Sequence, residues 1–312
     1  MRRAAALVTA LLASLVLAPV AAGDPVQQFN VQLKDIRADG RYTIVFSSNS
    51  YDTSGEQPPL VTSNSVRFAK GVSIRREFLT ARYRCDVPRL RDVLTGNAEA
   101  TPVMSRRVDD LPATLRRIRD DLTPNAIRIV ETCIRAQIGK GIVVADTRPF
   151  IADPIPAKLF LYLSKPSEKG AIASFGVLAV LDESSKPYKE IGLLQSLGPL
   201  SFTTNVFDDP TPDGRYGLRL QLPAGPVGIV KISLAELRVT TPGLTKVTER
   251  VTCLRRSGGR CAKKKVTTRR TFWITPPTCP ATGTLGFEAS YAYETGLTTT
   301  KTLALPCPRF RG

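Results

Sequence analysis

Residues 29–46 read Phe29-Asn30-Val31-Gln32-Leu33-Lys34-Asp35-Ile36-Arg37-Ala38-Asp39-Gly40-Arg41-Tyr42-Thr43-Ile44-Val45-Phe46, and this stretch decides the fold class. Phe29, Val31 and Leu33 alternate with polar neighbours, which is the period of a strand with one buried face. Asp39-Gly40 supplies the left-handed backbone that a tight hairpin turn needs. Tyr42, Ile44 and Phe46 then resume the alternation, so the segment predicts a β-hairpin.

The same signal recurs along the chain. Leu218, Leu220 and Leu222 alternate with Arg219 and Gln221, and Val230, Ile232 and Leu234 repeat the pattern after Gly225-Pro226. Leu285, Phe287, Ala289, Tyr291 and Tyr293 form one face of a strand, with Leu303, Leu305 and Cys307 on its expected partner beyond a turn near Gly296. Leu159 to Leu163 and Phe175 to Leu181 are apolar without alternation, as strands buried on both faces are. Many short strands between Gly, Pro, Asp and Asn clusters predict a mainly β fold, an antiparallel β-sandwich of jelly-roll-like type, in a single unit spanning 23–312.

One stretch departs from this period. Leu111, Leu115, Ile118 and Leu122 recur at helical spacing, with Asp110 as N-cap, Pro112 in the first turn and Pro124 as terminator. A shorter helix is expected at Pro88 to Leu94. Both lie between Cys85 and Cys133, so residues 85–133 read as a helical insertion packed on the sandwich and tied off by a disulfide.

The N-terminus reads as an export signal over residues 1–22. Arg2 and Arg3 precede the apolar run Ala4–Leu17, and Val20-Ala21-Ala22 places small residues before a cleavage point at Gly23. No later stretch has the ~20 consecutive apolar residues of a membrane-spanning helix. The expected location is therefore secreted, extracellular or wall-associated. Loss of Arg2 and Arg3 lowers the formal charge of +17 by two, to +15. Such a surplus draws a protein toward anionic surfaces.

Six cysteines follow the signal: Cys85, Cys133, Cys253, Cys261, Cys279 and Cys307. Six allow 15 complete pairings, but local spacing selects one. Cys253 and Cys261 flank Ser257-Gly258-Gly259, and Cys279 and Cys307 flank the hairpin at Gly296. Cys85 and Cys133 remain for each other. No spacing is C-x2-C, and there is no histidine to complete a zinc site.

The lack of histidine also excludes a Ser-His-Asp triad and a Cys-His pair. No nucleophile elbow or phosphate-cradling glycine loop occurs, and Gly139-Lys140-Gly141 reads as a turn between strands. Asp208-Asp209-Pro210-Thr211-Pro212-Asp213-Gly214 and Asp182-Glu183 concentrate acids, yet they have turn chemistry. No catalytic, cofactor-binding or metal-binding residue is identified, and no cofactor is expected. Trp273, between Phe272 and Ile274, reads as a core indole.

The densest chemistry is cationic. Arg250, Arg255, Arg256, Arg260, Lys263, Lys264, Lys265, Arg269 and Arg270 fall in 21 residues with no acid among them. A clipped hairpin there would form a finger able to neutralise several phosphates at once, with strong salt dependence. Aromatic residues are not interleaved, so base stacking and sequence-specific nucleic-acid binding are not indicated. The expected partner is an anionic cell-wall polymer or lipid surface, with the oligomeric state open. Competing readings are a carboxylate-dependent carbohydrate-active hydrolase and a carrier of a small apolar ligand.

These elements together resemble a group of secreted β-rich proteins of high-GC Gram-positive bacteria. The likeness rests on Val66 to Val72, on Cys85, and on Cys133 followed by Ile138-Gly139-Lys140-Gly141. It continues through Cys279-Pro280, Leu285 to Tyr293, Gly296 and Cys307. Ile134 stands where members of that group often have proline. The resemblance implies an extracytoplasmic β fold with paired cysteines, and it implies no activity.

Overall fold

The computed structural model describes residues 25–36, 42–70, 72, 84–96, 116, 122–148, 151–192, 194, 198–222, 231–241, 246–257, 260–271 and 279–307. The expected export signal (1–22) lies outside these residues. So do the turns at Asp39-Gly40, Gly225-Pro226 and Gly258-Gly259, Val230, Trp273, and all of the expected 111–122 helix but position 116, which is helical, and Leu122.

Thirteen strands are described: β1 (Pro25–Lys34), β2 (Tyr42–Asp52), β3 (Val61–Ala69), β4 (Gln137–Thr147), β5 (Ile151–Ser164), β6 (Ala173–Leu181), β7 (Leu200–Asp208), β8 (Tyr216–Leu222), β9 (Lys231–Thr241), β10 (Lys246–Ser257), β11 (Arg260–Thr271), β12 (Thr284–Tyr293) and β13 (Thr298–Pro306). Three short helices join them: α1 (Val87–Thr95), α2 (Pro124–Ala136) and α3 (Lys186–Glu190). Eleven strands form one sheet in the order β1-β2-β9-β4-β5-β6-β7-β8-β3-β12-β13, antiparallel throughout.

A twisted sheet of this width does not stay open; it curls. Here the two halves of the sheet face each other, so one continuous sheet supplies both layers of the sandwich. Phe46 of β2 meets Phe68 of β3 edge-on at 5.6 Å, and Phe68 meets Phe287 of β12 at 6.2 Å. Around these rings lie Val31, Ile44, Val66, Leu285 and Ala289, all buried. Further along the interior the contact turns polar. Tyr293 donates through its hydroxyl to Gln27 Oε1 at 3.1 Å, and Gln27 Nε2 donates to Ser48 Oγ at 2.6 Å. Ser48 Oγ in turn lies 3.2 Å from the Tyr291 hydroxyl. This chain of side chains fastens β1–β2 to β12, which share no backbone ladder among the described residues.

β5 and β6 are buried on both faces, as their unalternating sequence requires. Leu161, Leu163, Phe175 and Val177 face the interior, while Tyr162, Ser164 and Gly176 face the helices. A β-carbon on Gly176 would lie 2.3 Å from Val87 Cγ2 and 2.7 Å from Ser164 Oγ. Only glycine lets α1 come this close. Asp86 caps α1 by accepting from the Arg89 amide, and Gly96 ends it in the left-handed region at φ 76°. Cys85 and Cys133 are disulfide-bonded with their Cα atoms 4.4 Å apart, joining the entry of α1 to α2. Both are buried, at 3% and 0% exposure.

One expectation is corrected and one helix start went unpredicted. Pro124, expected to stop the preceding run, begins α2: Thr123 is the N-cap, accepting from the Ala126 amide at 3.3 Å, and Pro124 takes the first turn. A proline lacks only an N–H that the first turn leaves unpaired, so the same residue suits either role. The helix then buries Ala126, Val130, Cys133 and Ala136. Gly139-Lys140-Gly141 is not a turn but part of β4, paired with β5 on one side and β9 on the other. The β4–β5 register shifts between Gln137 and Gly139, and glycine in a strand commonly marks such an irregularity.

Candidate functional site

β10 and β11 are built from β-branched and cationic residues, Lys246-Val247-Thr248-Glu249-Arg250-Val251-Thr252 and Lys265-Val266-Thr267-Thr268-Arg269-Arg270-Thr271. Val and Thr favour extended backbone. Among the described residues the two strands hydrogen-bond to each other and to no strand of the large sheet. At 12 residues each, they make a ribbon about 40 Å long.

The register runs from Lys246↔Thr271 to Ser257↔Arg260, with irregularities at Cys253/Arg255 and Arg255/Arg256. It brings the nine cations singled out above into this one element. Arg255 stands opposite Lys263, Arg256 opposite Cys261, and Cys253 opposite Lys264. Like charges directly opposed in a two-stranded pair weaken it. Cys253 is disulfide-bonded. The side chain of Cys261 lies outside the described residues.

The acidic clusters hold structural roles. Asp209 accepts from Arg67 Nε at 3.2 Å and from Arg219 Nε at 3.1 Å. Arg67 also donates to Glu288 at 2.8 Å, and Arg219 lies 4.7 Å over the ring of Phe207. Arg67 alternates with the buried Val66 and Phe68, so the network lies on the outer face of the sheet. Asp209 and Glu288 thus meet at a guanidinium, not across a cleft. The Asp213 carboxylate accepts from the Thr211 hydroxyl and from the amide and side chain of Arg215; these bonds hold its pKa well below the usual range. Asp182 accepts from Ser184 in the loop after β6. Each is a turn-builder, as expected of Asp beside Gly, Pro or Ser.

Sequence reasoning missed two polar features. Asp146 is 6% exposed and gripped by Arg148, whose Nη2 donates at 2.6 Å; Arg148 Nη1 also donates to the Gly55 carbonyl at 2.8 Å. Asp52 is 4% exposed and accepts from the Ser54 hydroxyl and amide, which lower its pKa. Its Oδ2 has no hydrogen-bond partner. Neither Asp belongs to a sequence motif, and the 52–57 loop meets both: Ser54 bonds Asp52, and Gln57 Nε2 donates to the Asp146 carbonyl at 2.8 Å.

An open groove of about 540 Å³ runs where β1 approaches the end of β13. Val31, Leu33, Ile36, Leu305 and Pro306 make it largely apolar, with Lys34 at its side. It lies at the seam of the curled sheet, whereas the interior at Phe46, Phe68 and Phe287 is occupied by side chains. Nearby, Cys279 is bonded to Cys307 with Cα atoms 5.8 Å apart. Among the described residues no group of three or more Cys, Asp or Glu is placed to hold a metal, and no helix is long and apolar enough to cross a membrane. No protein-family model matches this chain, and neither a curated protein nor a solved structure matches it.

Proposed function

We propose that this is a secreted, non-enzymatic binding or structural protein of the cell surface or wall, and that the β10–β11 ribbon is its contact with anionic polymers or lipid head groups. One observation carries the reading: a two-stranded element outside the main sheet holds ten of the chain's 44 Lys and Arg against a single acid, Glu249. A fold selected for stability alone gains nothing from placing Arg255 opposite Lys263. A partner bearing phosphates or carboxylates would relieve that repulsion and release its own counterions. The disulfides at Cys85–Cys133 and Cys279–Cys307 suit an oxidising destination.

The test is retention of residues 23–312 on purified cell wall and on anionic liposomes across a salt series. Binding should be strong at low salt and fall steeply as salt rises. Replacing Lys263, Lys264 and Lys265 by Gln should weaken it more than removing three lysines from the large sheet. Equal losses would assign retention to net charge; no binding at low salt would end the proposal.

A further inference from the structure

Sequence order hides a regularity of the ribbon that its register reveals. Before the irregularity at Cys253, successive cross-strand pairs alternate between the two faces. One face takes the pairs Lys246↔Thr271, Thr248↔Arg269, Arg250↔Thr267 and Thr252↔Lys265. Every one of these pairs joins a cation to a threonine. The cation, moreover, changes strand at each step: Lys246 on β10, Arg269 on β11, Arg250 on β10, Lys265 on β11. The other face takes Val247↔Arg270, Glu249↔Thr268, Val251↔Val266 and Cys253↔Lys264. All three valines of the ribbon and its acid thus hold register positions on the other face. Thr252, at one end of that face, is exposed.

From this arrangement we infer that the ribbon binds a linear polyanion of the phosphate-polymer class, lying lengthwise on the cation–threonine face. The inference rests on the anionic-surface reading above and narrows it to one partner class. Steps of two residues separate successive cations by about 6.8 Å along the ribbon. Their alternation between strands keeps them within about 5 Å of one line. Four charges in such a row match a chain whose anionic groups recur along its length. Each threonine adds a hydroxyl that donates to an anionic oxygen beside the charge. A membrane surface is the less suitable partner, because interfacial binders bury apolar side chains and this face carries none.

The probe is long-chain inorganic polyphosphate, compared with tripolyphosphate and with phosphatidylglycerol vesicles, each titrated into the protein (23–312) over a salt series. Four substitutions on the ladder, Lys246→Gln, Arg250→Gln, Lys265→Gln and Arg269→Gln, are compared with four of equal charge beyond the irregularity, Arg255→Gln, Arg256→Gln, Arg260→Gln and Lys263→Gln. Loss of the ladder should weaken polyphosphate binding at least tenfold more than loss of the other four. It should also flatten the log–log salt slope by about 3, as removal of four contacts to a single-stranded polyanion does. Replacing Thr248, Thr252, Thr267 and Thr271 by Val keeps the β-branched shape and should weaken binding without changing that slope. Equal losses in the two quadruple variants, or vesicles bound as tightly as long polyphosphate, would overturn the ladder while leaving the anionic-surface reading intact. A wild-type protein that binds no probe at low salt would defeat both.

Discussion

β5–β6 and β10–β11 are each a pair of neighbouring antiparallel strands, and they are built on opposite principles. In β6 eight consecutive residues are buried, one face against the sandwich interior and the other under α1. Among the described residues the β10–β11 ribbon pairs with no other strand, and it carries ten cations. The first pair takes its stability from area removed from water, at roughly 25 cal/mol per Å². An isolated two-stranded pair is marginal on its own, and opposed like charges weaken it further. The contrast separates a region that holds the molecule together from one that we propose to face a partner.

That contrast can be broken most directly at the helical layer. Replacing Cys85 and Cys133 by Ala should cost about 4 kcal/mol, the loop-closure value for a bridge spanning 48 residues, and lower the melting temperature. Polyanion binding by the folded fraction should persist. Gly176→Ala comes next: its methyl has no room beneath Val87, and overpacking of this kind costs about 1–3 kcal/mol in denaturant titrations. Thr123→Ala removes the α2 cap and should cost about 1 kcal/mol. A loss near zero would show that the disulfide, not the cap, sets where that helix begins. Smallest of all should be the stability change on replacing Lys263, Lys264 and Lys265 by Gln, within about 0.5 kcal/mol of zero. A large loss there would mean the ribbon is part of the scaffold after all.

The pH dependence sharpens the same division from both sides. Asp52 and Asp213 have pKa values lowered by hydrogen bonds, so their contribution is present above the unfolded value near pH 4 and is lost as the pH falls through the folded values. Burial pushes the Tyr291 phenol up to about 12, so the folded state keeps its proton where the unfolded chain has lost it. Thermal melts should therefore decline above about pH 10. Asn at position 52 should flatten the acid limb, and Phe at position 291 the alkaline one.

How much was readable in advance follows the range of each interaction. The β1–β2 hairpin, the two-face burial of β5 and β6, the β12–β13 pair and the Cys279–Cys307 bridge were all legible, because each is written in neighbouring residues. The start of α2 at Pro124 went unread because proline marks a helix start as readily as a helix end, and the Thr123 cap is what identifies the start. Gly139-Lys140-Gly141 was misread because glycines mark strand irregularities as well as turns. Within the candidate site the cations were visible as a cluster, while their pairing with threonines was not. That pairing depends on which residue of β11 stands opposite which of β10.

The sequence by itself determined the alternating strands, the cysteine framework at Cys279–Cys307, the absence of histidine chemistry and the concentration of positive charge in 250–270. These are properties of composition and local period, and no distant residue can change them. Only the tertiary structure decided that β9 inserts between β2 and β4, that β3 lies between β8 and β12, and that one curled sheet provides both layers. It also decided that Gln27 and Ser48 meet Tyr291 and Tyr293 across the interior. Such pairings join residues up to 266 positions apart. They are chosen by which arrangement buries the most apolar surface once the entropy of closing those loops is met, and that sum is over the whole chain.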